Sequence, residues 1–148
     1  MQTATPSAGY VTIYFTRDND SNIIPTAAQV NAVKDAIIDE DTGIKPANTP
    51  DNYVVVAAPT AVPIAITFSS LSPNTAAMRT AITQTLIDYF KSASVNVGSD
   101  ILLNEVNALI FSVVDESGNS PTFTLSAPAS DTSISNSELA TLGTITYV

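Results

Sequence analysis

Val62 to Phe90 reads VPIAITFSSLSPNTAAMRTAITQTLIDYF, and it holds the two periods that decide the fold. Ile64, Ile66 and Phe68 alternate with Ala65, Thr67 and Ser69. A period of two puts the first set on one face of a strand, so Val62 to Leu71 reads as a strand with one buried side. Ser72-Pro73 then reads as a helix start, with Ser72 as cap and Pro73 at the first helical position. Met78, Ile82, Leu86 and Phe90 follow at i, i+4, i+8 and i+12, an apolar stripe along one helix face. One strand and one helix therefore meet inside a short window.

Upstream, Tyr10-Val-Thr-Ile-Tyr-Phe-Thr16 is rich in β-branched and aromatic residues and reads as a strand. Val11, Ile13 and Phe15 form its more apolar face, expected to point to the core; Tyr10, Thr12 and Tyr14 form the other. A polar turn, Arg17 to Asn22, leads to Thr26-Ala-Ala-Gln29, a capping box that starts a helix. Val30, Val33 and Ile37 give that helix its apolar side, and Gly43 is the expected stop. Tyr53 to Ala58 is a further strand. Val54 to Ile66 is the longest near-apolar run, but Pro59, Thr60 and Pro63 interrupt it and it is far short of the roughly 20 residues of a membrane span.

Downstream, Ala93 to Gly98 connects to a short strand at Asp100 to Leu103. Asn104 is the expected cap of a third helix carrying Val106, Leu109 and Ile110. Ser117 to Pro121 is a turn, Phe123 to Ser126 a strand, Ala127 to Ser137 a polar loop, and Gly143 to Val148 a last strand. The expected class is α+β: a mixed sheet of about five to six strands with three helices, in the order β-α-β-β-α-(β)-α-β-β. Residues 1–8, MQTATPSA, lack the basic and apolar regions of a signal peptide and read as a linker or leader; residues 9–148 read as one domain.

Composition narrows the chemistry. The chain has 148 residues, 45% hydrophobic and only 13% charged, which suits a packed domain and not a disordered one. Its net charge of −9 argues against nucleic acid, which needs a basic stripe. There is no Cys and no His, so a thiolate site, a cysteine nucleophile and a Ser-His-Asp triad are excluded.

The remaining candidates are carboxylates and aromatics. Asp18-Asn-Asp20-Ser-Asn22 resembles the start of an EF-hand loop, but Ile23 stands where Gly is required and Gln29 where Glu is required. Asp39-Glu-Asp41 crowds three carboxylates at a helix end, where neighbouring side chains point apart and a solvated run is expected. Asp115-Glu116 precedes a turn without the paired spacing of a glycosidase. Tyr10 and Tyr14 share one strand face. They either lie under a second covering layer or form an aromatic contact surface for a partner chain. No catalytic, metal or cofactor residue is expected.

The ordered series as a whole resembles a known family. Gly9-Tyr-Val-Thr-Ile-Tyr-Phe, Ile24-Pro-Thr, Tyr53-Val-Val-Val-Ala-Ala-Pro59 and Ile64-Ala-Ile-Thr-Phe68 come first. Ile87-Asp-Tyr-Phe90, Val97-Gly-Ser-Asp-Ile-Leu-Leu-Asn-Glu-Val106, Phe123-Thr-Leu-Ser-Ala-Pro128 and Glu138 to Tyr147 follow. Together they are similar to the C-terminal part of the baseplate J-like proteins of contractile-tailed phages and Mu-type prophages. Two departures stand out. The family usually continues Gly-Val after the third helix, where this chain has Phe111-Ser-Val-Val-Asp115, and the family's larger N-terminal portion is absent.

The resemblance implies a wedge subunit of the tail baseplate. Such a subunit docks on other baseplate proteins and on sibling copies, and transmits the rearrangement that triggers sheath contraction. It implies no enzyme activity, no small-molecule substrate and no membrane span. It also implies a place in the virion after synthesis in the host cytoplasm. An extracellular adhesion module is the alternative from a Ser- and Thr-rich acidic composition, and would require an all-β sandwich. A carboxylate-dependent metal-binding or hydrolytic enzyme is the second, and would require converging Asp or Glu side chains in a cleft.

Overall fold

Thr26 starts the first helix as its capping box requires. The Thr26 hydroxyl accepts the Gln29 amide, and the Gln29 side chain accepts the Thr26 amide at 2.8 Å. A computed structural model of the chain describes residues 9–92 and 95–148. The linker expected at residues 1–8 and part of the connector expected at 93–98 therefore lie outside the described residues. Among the described residues three helices and five strands form an α+β fold broadly in the expected order; the short strand expected at Asp100 to Leu103 is a single bridge, Ile101 opposite Thr132, because Leu103 already starts a helix. The strands divide into a sheet of two and a sheet of three. The chain forms two compact units, Met1–Thr60 and Ala61–Val148.

The first unit is a β-α-β arrangement. β1 (Val11–Tyr14) and β2 (Val54–Ala57) pair in parallel, Val11 opposite Val54 and Ile13 opposite Val56, and α1 (Ala27–Ile38) connects them and packs on β2. A parallel pair needs such a crossover because its ends lie at opposite edges. Val54 and Val56 are buried, while α1 buries no residue completely and Val11 is 57% exposed. Val11, expected on the core face, is therefore not core.

The end of α1 corrects the expected stop. The helix finishes at Ile38, and Asp39 turns the chain: its Oδ1 accepts the Asp41 amide, the Thr42 amide and the Thr42 hydroxyl. Gly43 is required for space rather than for a left-handed backbone. A Cβ there would lie 2.4 Å from the Asp39 carbonyl oxygen.

The second unit holds a three-stranded sheet in the order β4-β3-β5, formed by β3 (Thr60–Ser72), β4 (Thr122–Ala127) and β5 (Glu138–Thr146). Ile64, Ile66 and Phe68 are buried as their alternation requires. α2 (Ala76–Phe90) lays Met78, Ile82, Leu86 and Phe90 into the core and packs on β5 and on α3 (Leu103–Phe111). Phe68 sits at the centre, its ring stacked on Tyr147 at 5.1 Å and edge-on to Phe123 at 5.9 Å. The Tyr147 hydroxyl donates to the Arg79 carbonyl at 2.9 Å and shares a hydrogen bond with Thr83, which fastens β5's end to α2.

Both helix starts in this unit differ from expectation. α2 begins three residues beyond Pro73, with Thr75 accepting the Met78 amide at 3.2 Å. Ser72 is unavailable as a cap because it still belongs to β3, opposite Thr122. α3 begins after Leu102, ahead of Asn104, and the carboxylate of Asp131 accepts the Leu103 amide at 2.8 Å. That cap comes from 28 residues away in the chain. Asp131→Ala is therefore expected to cost about 1 kcal/mol, the usual worth of an N-cap. Urea unfolding of wild type and variant measures it, and an unchanged midpoint would show that the Leu103 amide does not depend on this carboxylate.

Candidate functional site

The acidic clusters are built into turns. In the Arg17 to Asn22 segment, Arg17 pairs with Asp20, Thr16 donates to Asp18 at 2.7 Å, and Asn22 accepts the Ile24 amide at 3.1 Å. These side chains serve their own loop, which is open to solvent. Asp39 holds its turn in the same way, and the donors from Thr42 and Asp41 keep its carboxyl below the usual range. Among the described residues no group of three or more His, Cys, Asp or Glu side chains could hold a metal ion.

Asp115 is the one buried charged residue of the described set, 7% exposed. Its Oδ1 accepts the amides of Ser117 and Asn119, each at 2.9 Å, and the Asn119 side chain bridges both oxygens at 3.2 Å. The Asn119 amide, then its side chain, then the Ser117 and Gly118 amides hold the carboxyl below its ordinary value of 3.8. A lowered folded value means that the stabilisation is present above about pH 4 and is lost as pH falls through the folded value. Protection of the Ser117 and Asn119 amides, measured against the intrinsic exchange rate at each pH, is thus expected to fall on acidification, and Asp115→Ala should remove it already at neutral pH. Slow exchange in that variant would show that the carboxylate does not hold the turn.

Tyr10 immediately precedes β1, and Tyr14 is its last residue. Tyr10 is 40% exposed and its ring lies 4.7 Å from that of Tyr53, while Tyr14 is half-buried opposite Ala57. In α2 the Tyr89 hydroxyl donates to Glu105 of α3 at 3.1 Å, and burial together with that carboxylate pushes the phenol up to about 12.

The feature that the sequence reading missed is a groove of about 590 Å³ between α3 and β4. Leu103, Asn104, Asn107 and Phe111 form its helical wall; Phe123, Thr124 and Leu125 form its strand wall, with Pro128 and Ala129 at the end. Val106 and Ile110 point the opposite way into the core, so Phe111 is left off the buried stripe and is 57% exposed. Its ring rests against Phe123 at 4.6 Å. The sequence signal was present: an aromatic one residue past the core position of an amphipathic helix, at the place where the family pattern is interrupted.

The family described as Baseplate J-like protein C-terminal domain matches residues 62–148, which is the second compact unit almost end to end and more than half of the chain. No curated protein matches the chain. The family supports a structural role in the phage tail baseplate, in contact with other baseplate proteins. The alternating strand, the four-residue stripe of α2 and this match converge: the chain belongs to the Baseplate J-like protein C-terminal domain family.

Proposed function

We propose that the chain is an assembly domain of a baseplate wedge protein in a contractile phage or prophage tail. It works by docking its packed surfaces against other baseplate proteins and sibling copies, and it performs no reaction on a small molecule. The family match over residues 62–148 carries this reading. The lack of His and Cys, which removes the commonest general base and the thiolate nucleophile, supports it. Residues 9–148 act together in this role, made in the host cytoplasm and incorporated into the tail. Tyr10 and Tyr14 contribute an aromatic contact surface to a partner chain, the kind of side chain enriched where proteins dock.

Mass spectrometry of purified tail particles tests the reading, together with a search of neighbouring open reading frames for sheath, tube and spike proteins. The chain is expected in the particles at a fixed ratio to the other baseplate proteins. Its absence from intact particles would overturn the assignment. Tyr10→Ser with Tyr14→Ser should lower incorporation without unfolding the protein; normal incorporation would remove these two residues from the interface.

A further inference from the structure

We propose that β1 pairs with β1 of a second copy of the chain, antiparallel across a two-fold axis at Thr12, so that two sheets of two strands become one of four. This pairing rests on the reading of Tyr10 and Tyr14 as a contact surface and names their partner as a sibling copy.

β1 presents an open edge. Among the described residues β2 is the one strand beside it, and no backbone hydrogen bond outside that pair engages Val11 to Tyr14. Part of a strand's N–H and C=O groups point away from its neighbour, so the outer side of β1 is a template for another strand. The devices that guard such an edge are missing: Gly9 to Thr16 holds no charge and no proline. The unit behind the edge is also unfinished. Of its described aliphatic and aromatic side chains only Val54 and Val56 are buried, and α1 buries none completely. Two strands alone make a marginal sheet, whereas three or more with an apolar face are stable.

The residues of the edge select a second copy. A two-fold axis normal to the sheet keeps each face on the same side in both copies, so residues that stand opposite one another must share a face. With the axis at Thr12, Val11 stands opposite Ile13 of the second copy, Thr12 opposite Thr12, and Tyr14 opposite Tyr10. Thr with Thr and aromatic with aromatic are favoured cross-strand pairs, and Val and Ile pack well on a pleated surface. Tyr10-Val-Thr-Ile-Tyr14 thus reads the same by side-chain class in both directions, which self-pairing requires and an unrelated partner strand does not. Gly9, with a φ of 98°, turns the chain just before Tyr10, so the ladder ends there. Charge does not oppose the contact locally. The net charge of −9 on each copy acts from outside the paired segment, and salt screens it over about 8 Å at physiological ionic strength. The contact is short, so association of the free chain is weak, and the high local concentration of an assembled tail strengthens it.

The test mixes isotope-labelled and unlabelled 148-residue chain at about 1 mM, enough to populate a weak contact, and reads interchain NOEs. Contacts are expected from Val11 to Ile13 and from Tyr10 to Tyr14 of the other copy, a result that needs no variant. Sedimentation equilibrium should show monomer and dimer without larger species, because a two-fold contact closes on itself. Association should tighten as salt is raised from about 50 to about 500 mM. Thr12→Lys and Thr12→Asp each set like charges face to face and should weaken the dimer about tenfold, while an equimolar mixture of the two should regain it. Circular dichroism checks that both variants fold. No dimer of the unaltered chain, interchain contacts at other residues, or a mixture no tighter than the single variants would overturn the proposal. A monomeric chain that is still found in tail particles removes only the pairing and leaves Tyr10 and Tyr14 to another baseplate protein. Absence from particles removes the baseplate reading, whatever the sedimentation shows.

Discussion

Phe68→Ala is expected to lower the free energy of unfolding by about 3–5 kcal/mol, the cost of removing a large aromatic side chain from a packed core. The ring is 1% exposed and touches Tyr147 and Phe123, so its loss leaves a cavity between β3, β4 and the end of β5. The surroundings cannot collapse freely. The hydroxyl of Tyr147 is tied to α2 through Arg79 and Thr83, and β3 is held on both sides by neighbouring strands. Phe111→Ala provides the contrast. It removes the same side chain from a half-solvated helix end, and about 1 kcal/mol or less is expected. Urea unfolding followed by circular dichroism measures both. Similar costs at the two positions would mean that the core is not centred on Phe68.

Gly143→Ala is expected to destabilise by about 1–3 kcal/mol, as overpacking does in a close-packed interior. A Cβ at Gly143 would lie 2.9 Å from both the carbonyl carbon and the carbonyl oxygen of Ile64, and 3.1 Å from the Ala65 amide nitrogen. These are backbone atoms of the central strand, so relief requires the sheet itself to shift. Replacing glycine also restricts the unfolded chain, a gain of about 0.4–1 kcal/mol that offsets only part of the loss. Gly118 is the useful comparison, since a Cβ there meets nothing within 4 Å and only its positive φ of 81° resists substitution. A neutral or stabilising Gly143→Ala would show that β5 does not approach β3 so closely.

Both predictions concern the platform that holds the groove. β3 is the scaffold on which β4 is placed, and α2 is the one against which α3 rests. Val106 and Ile110 anchor α3 in the core, and Phe123 of β4 touches both Phe68 and Phe111, which relates the two walls of the groove. A groove whose walls are a packed helix and a paired strand is more rigid than one built on loops. The serines at the two register shifts contribute to that rigidity: Ser69 donates to the Thr124 carbonyl at 3.2 Å and Ser126 to the Thr67 carbonyl at 3.3 Å.

The groove was not legible in the chain as read. Phe111 looked like a departure from a family pattern, and Phe123 like an ordinary strand residue. Nothing local relates a helix to a strand eleven residues downstream. Their contact arises because Phe123 lies against Phe68 of β3 while Phe111 lies off the buried stripe of α3, and both placements belong to the assembled sheet. Tyr10 and Tyr14, by contrast, are assigned a shared face by period two along one chain segment, which needs no partner to define it.

What the amino-acid order determined alone is a set of features fixed within about one turn or one strand. The alternation of Ile64, Ile66 and Phe68, the stripe from Met78 to Phe90, and the capping box at Thr26 all appear where they were read. These depend on backbone periods and on donors and acceptors at most four residues apart. Tertiary structure decided the rest. It moved the start of α2 to Thr75 because Ser72 is held in a strand by Thr122, and it capped α3 with Asp131. It began β5 at Glu138, five residues before the expected strand, because Leu139 and Ala140 are buried there. In each case a hydrogen bond or a buried side chain from a distant segment outweighed a local preference worth about 1 kcal/mol.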